Sequence, residues 1–271
     1  MISKEITNRK GARKLVDIPS EVLTLLNQGK IQTVNLTEWL AVDQIKLVNT
    51  IFPEIGLEKA IVEVTKSIGQ LKKPSTMSSI KVIGETLYNF SVENNTLEQN
   101  LKALSNHISD TLRCYAPYLI SLNTNLSIEE KLEMAKPLVA DSHFGIREVV
   151  WMALRPEIDK NLSRSIQYLS QWTSDKDENI RRFTTEATRP RGVWCKHIEN
   201  LKENPELALP ILEPLKSDSS KYVQDSVGNW LNDASKTRPD FVVELSEKWR
   251  EKSPTKETEK IIKRARRSID K

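Results

Sequence analysis

Short apolar stripes alternate with polar breaks along this chain, and nearly every stripe recurs at helical period. Trp39, Val42, Ile45, Val48 and Ile51 advance by threes, beside Leu40, which places them on one helical face. Thr37 is the expected N-cap of that stretch and Pro53 its stop. Leu57, Ile61, Val64, Ile68 and Leu71 repeat the pattern until Pro74. Further helices are expected at about 76–90, 97–113 and 127–139. No run of alternating β-branched residues is bounded by hairpin turns, so an all-α fold is predicted.

The second half repeats itself. Asp141…Ile146-Arg147 aligns with Asp175…Ile180-Arg181 and with Asp218…Val223-Gln224, a frame of D-x4-[IV]-[RQ]. Each copy is expected to open a helix, with the acid near the positive helix start and the aliphatic residue beginning the buried stripe. Second helices are expected at about 162–173, 205–215 and 239–250. A string of helical hairpins at this period predicts a HEAT-type solenoid, curved, with a concave groove. Ten residues past the aliphatic position, Arg155-Pro156 and Arg189-Pro190 recur. The proline is expected to stop the helix. The arginine before it either points into the groove or meets helix C-terminal carbonyls.

Composition narrows the chemistry. Only 8 of 271 residues are glycine, against a usual share of about 7%. No G-x-G-x-x-G or Walker-type loop occurs, which excludes dinucleotide and P-loop enzymes. Cys114 and Cys195 are far apart, and the three histidines, 107, 143 and 197, form no zinc-ligand spacing. No metal or organic cofactor is expected. No apolar run approaches a membrane span and no signal-like segment opens the chain, so a cytoplasmic protein is expected, nucleoid-associated if bacterial. The net charge of +4 conceals an asymmetry: residues 1–14 carry +4, residues 250–271 carry +5, and the body between them carries −5. Three segments are therefore expected: a basic N-terminal segment, 1–14; one repeat domain, 15–250, with helices over 35–139 and clear repeats over 140–250; and a basic C-terminal tail, 251–271. The basic ends suit a polyanion, or are simply solvated tails.

The string Thr185-Glu186-Ala187-Thr188-Arg189-Pro190-Arg191-Gly192-Val193-Trp194 resembles the signature of the AlkC branch of the HEAT-repeat DNA glycosylases. Ser226-Val227-Gly228-Asn229-Trp230-Leu231-Asn232-Asp233 is similar to a second string of that family, one repeat later. The resemblance is clear over about 140–250 and fainter over 35–140. It implies a monomeric enzyme that holds double-stranded DNA in its concave face and hydrolyses the N-glycosidic bond of cationic N-alkylated purines such as 3-methyladenine. Such a base is already a good leaving group. The enzyme needs a carboxylate to stabilise oxocarbenium character and position water, and aromatic faces to attract the cationic base.

The resemblance implies Glu186 and Asp233 as catalytic acids; the alternative for each is an ion pair with Arg189, Arg191 or a neighbouring repeat. Trp194, Trp151 and Trp230, from three repeats, are candidates for the groove, although aromatics at helical spacing equally build cores. Arg147, Arg181, Arg189 and Arg191 are candidates for phosphate contacts. Arg147 and Arg181 are alternatively staples between repeats, to Asp175 and Asp218. One departure stands out. Where the family carries Ser-Glu-Phe with a catalytic acid, this chain has Ser142-His143-Phe144. His143 is the corresponding catalytic candidate, with Glu148 one turn further on. A histidine here leaves a second reading open, a DNA-binding repeat protein without catalysis. A protein-interaction scaffold is a third.

Overall fold

The structure, a computed structural model, describes residues 2–270; Met1 and Lys271, which close the two basic ends, lie outside it. Every regular element among the described residues is helical, and the chain is all-α. No helix among them is long and apolar enough to cross a membrane. The residues form two compact units, one of 1–125 with 142–153 and the other of 126–141 with 154–271.

In the first unit the stretch expected as one helix over 35–51 is two, Leu36–Ala41 and Gln44–Ile51. Asn35 caps the first, its Oδ1 accepting the Glu38 N–H at 2.9 Å, so Thr37 lies inside the helix rather than at its start. Asp43 interrupts the apolar series and caps the second, accepting from Ile45 and Lys46, each at 3.1 Å. A cap that satisfies two orphan N–H groups outcompetes a continuous helix. The basic N-terminal segment is folded onto this unit. Arg9 Nη2 lies 2.6 Å from the buried Glu38 carboxylate and also donates to the Gln32 carbonyl.

The repeat frame has a physical explanation in the second unit. Helices Glu178–Glu186 and Lys221–Ala234 each begin three residues after the frame acid. The acid stands outside the helix: Asp175 Oδ1 accepts the Asp177 N–H at 3.0 Å, and Asp218 Oδ1 accepts the Ser220 N–H at 2.8 Å. Asp177 and Ser220 are then the N-caps. The frame's last residue donates back to the acid's own carbonyl: Arg181 to Asp175 O at 2.9 Å, Gln224 to Asp218 O at 2.7 Å. The D-x4-[IV]-[RQ] pattern is therefore a closed turn, with Ile180 and Val223 buried behind it.

Second helices follow as expected, Leu162–Ser170 and Pro239–Lys252, but the 205–215 stretch is a 3-10 turn, Pro205–Ala208, leading into Leu209–Leu212. Pro156 does not stop its helix, which runs Phe144–Lys160. A proline removes one main-chain donor, and here the rest of the helix is held by burial of Leu154 and Ile158. The basic C-terminal segment is not a solvated tail. Residues Lys256–Ala265 form a helix whose Ile261, Ile262 and Ala265 are fully buried beside helix Lys221–Ala234.

Candidate active site

Helices Glu178–Glu186 and Lys221–Ala234 lie side by side. Each delivers one carboxylate from its last turn, Glu186 and Asp233, both only 4% exposed. A buried carboxylate is costly unless paired and hydrogen-bonded, and both are. Ser226 Oγ donates to Glu186 Oε1 at 2.8 Å, with Thr185 Oγ1 2.6 Å from the same hydroxyl. Arg189, in the turn that follows the first helix, bridges the two acids. Its Nη1 lies 3.4 Å from Glu186 Oε2, its Nη2 2.6 Å from Asp233 Oδ2, and its Nε donates to the same Oδ2 at 2.8 Å. Burial pulls the Arg189 guanidinium down, but Glu186 and Asp233 outweigh it and hold it above its ordinary value.

Further cations surround the pair. Lys236 Nζ lies 3.1 Å from Asp233 Oδ1, and Arg191 Nε donates to the Asp233 carbonyl at 3.3 Å. Arg182 Nη2 is 3.5 Å from Glu186 Oε1, its guanidinium stacked on Tyr222 at 4.2 Å. Two acids thus sit among three cationic side chains, Arg182, Arg189 and Lys236. The sequence expectation had not singled out Arg182. Its place four residues before Glu186, on the same helical face, was the available signal.

The loop after Arg189 is fixed from behind by Arg155, which is 2% exposed. Its Nε donates to Lys196 O at 2.9 Å, its Nη1 to Ala187 O at 3.0 Å, and its Nη2 to Arg189 O. Of the two expectations for this arginine, the structure shows the carbonyl-binding one. Burial lowers its affinity for a proton from the ordinary value. Gly192 sits against this clamp, where a Cβ would fall 2.1 Å from Cys195 Sγ. The loop lifts Val193 and Trp194 into solvent, with Trp194 70% exposed and in the left-handed region at φ 60°. That conformation costs a bulky L-residue about 1–2 kcal/mol.

The remaining tryptophans are placed differently. Trp230 is fully buried and donates its indole N–H to Thr188 O at 2.9 Å, which makes it core and not a groove platform. Trp151 is buried in the first unit, its N–H donating to Glu148 Oε2 at 3.0 Å. Arg181 is the expected staple. Its Nε and Nη2 grip Asp218 at 2.7 and 3.0 Å, so its guanidinium is committed to the neighbouring repeat. Asp175 pairs instead with Lys136, at 3.1 Å. Arg147 Nη1 donates to Ser142 O at 2.8 Å, the same backward turn that Arg181 makes to Lys176 O.

His143 belongs to the first unit, whereas Glu186 and Asp233 belong to the second. It is 7% exposed and stands just before helix Phe144–Lys160. Its Nδ1 accepts the Gly145 N–H at 3.1 Å, and its Nε2 donates to Thr33 O at 2.8 Å, 3.4 Å from Asp110 Oδ2. Thr33 in turn donates its hydroxyl and its N–H to Asp110, at 2.8 and 2.9 Å. The ring therefore holds structure together: it organises a helix start and a buried carboxylate.

A stack of helical hairpins carrying a paired-carboxylate cluster is the class of protein described so far. Residues 148–259 match the family described as DNA alkylation repair enzyme. A Bacillus subtilis (strain 168) protein, uncharacterized protein YhaZ, is 41% identical over 137 residues; the match covers 51% of this chain and 37% of that one. The fold is shared with Pseudomonas fluorescens alkylpurine DNA glycosylase AlkC, solved bound to DNA containing an abasic site analog, at a TM-score of 0.67 and 22% identity over 96% of this chain and 66% of that one. It is shared also with AlkD2 from Streptococcus mutans, at a TM-score of 0.62 and 24% identity over 79% of this chain and 99% of that one.

Proposed function

We propose that this protein is a DNA glycosylase that excises cationic N-alkylated purines, such as 3-methyladenine, from duplex DNA. The observation that carries the reading is the Glu186–Arg189–Asp233 cluster, two buried carboxylates from successive repeats inside the family-matched segment. In the reaction the C1′–N bond breaks, the base leaves with the bonding pair, which neutralises its charge, and water adds at C1′, giving up one proton to solvent. Glu186 and Asp233 stabilise the developing oxocarbenium and orient that water. Arg189, which pairs with both acids in the free protein, is drawn to a backbone phosphate when DNA binds. That exchange frees the carboxylates to face the sugar. Trp194 offers an exposed face to the cationic base, an attraction of about 1–2 kcal/mol that a neutral base lacks. Arg191 adds a phosphate contact beside Asp233. The chain acts as a monomer in the cytoplasm and binds duplex DNA.

The test is release of free base from DNA carrying 3-methyladenine or 7-methylguanine. Release by the wild-type protein, abolished in Glu186→Gln with Asp233→Asn, supports the assignment. Release that survives both substitutions refutes the site. A second reading, a DNA-binding repeat protein without catalysis, draws on the burial of His143 where the resemblance implies an acid. Salt-sensitive DNA binding with no base release selects it.

A further inference from the structure

The C-terminal helix sorts its charges by side. Its acid Glu259 pairs with Arg250 at 3.1 Å, and Arg266, just past the helix end, pairs with Glu247 at 2.7 Å and Asp270 at 3.1 Å. Glu247 and Arg250 belong to helix Pro239–Lys252, so the Glu259 pair and one of the Arg266 pairs are made on that side. On the other side, beside helix Lys221–Ala234, stand Lys260, Lys263, Arg264 and Arg267, at positions i, i+3, i+4 and i+7. Lys260 and Lys263 have no carboxylate partner among the described residues.

These four residues and Lys221 line an open cleft of about 440 Å³, completed by Gln224 and Asp225. Asp225 is its one acid, and it is taken up by Lys221 at 2.7 Å and Arg264 at 2.6 Å. The walls are rigid. Gly228 lets the two helices approach closely, since a Cβ there would fall 2.8 Å from the Arg264 Cβ. Asn232 Nδ2 ties the helices again, donating to Ala265 O at 3.1 Å and Ser268 Oγ at 3.0 Å, while Arg267 donates to its Oδ1 at 3.0 Å. Gln224, 4% exposed, is fixed by its bond to Asp218 O, and its Oε1 is buried with no hydrogen-bond partner.

We propose that this cleft is a phosphodiester-binding site that grips one strand of DNA beside the Glu186–Asp233 cluster; the proposal rests on the glycosylase reading above. The strip, whose last member Arg267 stands in the turn just past the helix, spans about 10 Å at helical rise. That matches about three nucleotide steps at roughly 3.4 Å per step along one strand. The Arg267 end of the strip lies near the proposed catalytic cluster: Arg267 bonds Asn232, and Asp233 is the next residue of the same helix. Backbone contacts fix register without reading sequence, so the cleft anchors the duplex while the cluster meets the damaged nucleotide.

The experiment uses the full chain and an undamaged, fluorescently labelled duplex of about 20 base pairs, titrated by anisotropy at several salt concentrations. The triple variant Lys260→Gln, Lys263→Gln, Arg267→Gln is expected to bind at least ~10-fold more weakly near physiological salt, with a salt slope smaller by about 2–3. Lys256→Gln, on the same helix outside the cleft, is expected to bind as wild type. Equal affinity and slope in the triple variant and wild type overturn the proposal, even if the wild type excises alkylated bases. No duplex binding by wild type at low salt overturns it together with the glycosylase reading. Loss of binding in the triple variant, with a wild type that releases no base, supports the cleft and removes only that reading. Calorimetry with tripolyphosphate separates the other source of the same chemistry. Tight binding lost in the triple variant while its DNA affinity stays intact overturns the proposal in favour of a small-polyphosphate site.

Discussion

Arg189 reaches from the turn after one repeat helix to Asp233 on the next and sets its Nη2 2.6 Å from Oδ2, while Nη1 faces Glu186 at 3.4 Å. One guanidinium therefore bridges the two acids. Because all three groups are mostly buried, removing the cation leaves two carboxylates whose desolvation only Arg182, Ser226 and Lys236 then offset.

Arg189→Ala is expected to lower the unfolding free energy by about 3 kcal/mol. Asp233→Asn made in that background is expected to cost less than in the wild type, since its partner is already gone. Denaturant unfolding of the four proteins in this cycle measures the coupling. Additive losses would mean that the bridge contributes nothing.

Trp194 and Trp230 are expected to respond in opposite ways. Trp230→Phe loses the hydrogen bond to Thr188 O and leaves a void, costing about 2 kcal/mol. Trp194→Gly relieves the left-handed backbone at an exposed position, so stability is expected to stay level or rise by up to ~1 kcal/mol. The same change is expected to slow base release about 10-fold, in line with losing ~1.4 kcal/mol of attraction to the base. Melting curves and single-turnover excision assays separate the two effects.

Restoring the acid that the resemblance implies at position 143 is expected to damage the fold. His143→Glu places a second carboxylate beside the buried Asp110 and removes the acceptor of the Gly145 N–H. A loss of about 3 kcal/mol or more is expected, with a smaller loss for His143→Gln, which brings no charge. An excision rate that rises in His143→Glu without loss of stability would contradict the structural role described for this ring.

The Asp177 N–H, aided by Lys136, holds the Asp175 carboxyl below the usual carboxylate range. A carboxylate depressed by folding stabilises above its unfolded pKa, about 3.9, and that contribution is lost as pH falls through the lower folded value. The stability gap between wild type and Asp175→Asn is therefore expected to be constant at neutral pH and to close below about pH 4. Urea midpoints across pH read it directly.

The repeat architecture was legible because it rests on local chemistry. Asp175 and Asp218 must accept an N–H two residues on, and Arg181 and Gln224 must donate back six residues, so the residue types recur. The acids Glu186 and Asp233 were legible because charge in an apolar helical string needs a partner. Arg189 was among the partners the sequence offered, and the structure pairs it with both acids, reaching Asp233 across 44 residues. Periodicity could not separate Trp230 from Trp194. Both stand in matched strings, and only the positive φ and the Arg155 clamp set the second outside the core. The burial of His143 depends on Thr33 and Asp110, which no local pattern ties to it. The basic C-terminus read as a tail because its charge masked three apolar residues, Ile261, Ile262 and Ala265, at helical spacing.

The Arg155 clamp has a consequence for how this protein can change. It holds the 187–196 loop through main-chain carbonyls alone, which every residue type supplies. The shape of the loop is thus insured independently of what its tip displays, and Val193 and Trp194 are free to be exchanged without rebuilding their support. Preference among damaged bases can drift by single substitutions at this tip, while the scaffold beneath inherits none of the cost.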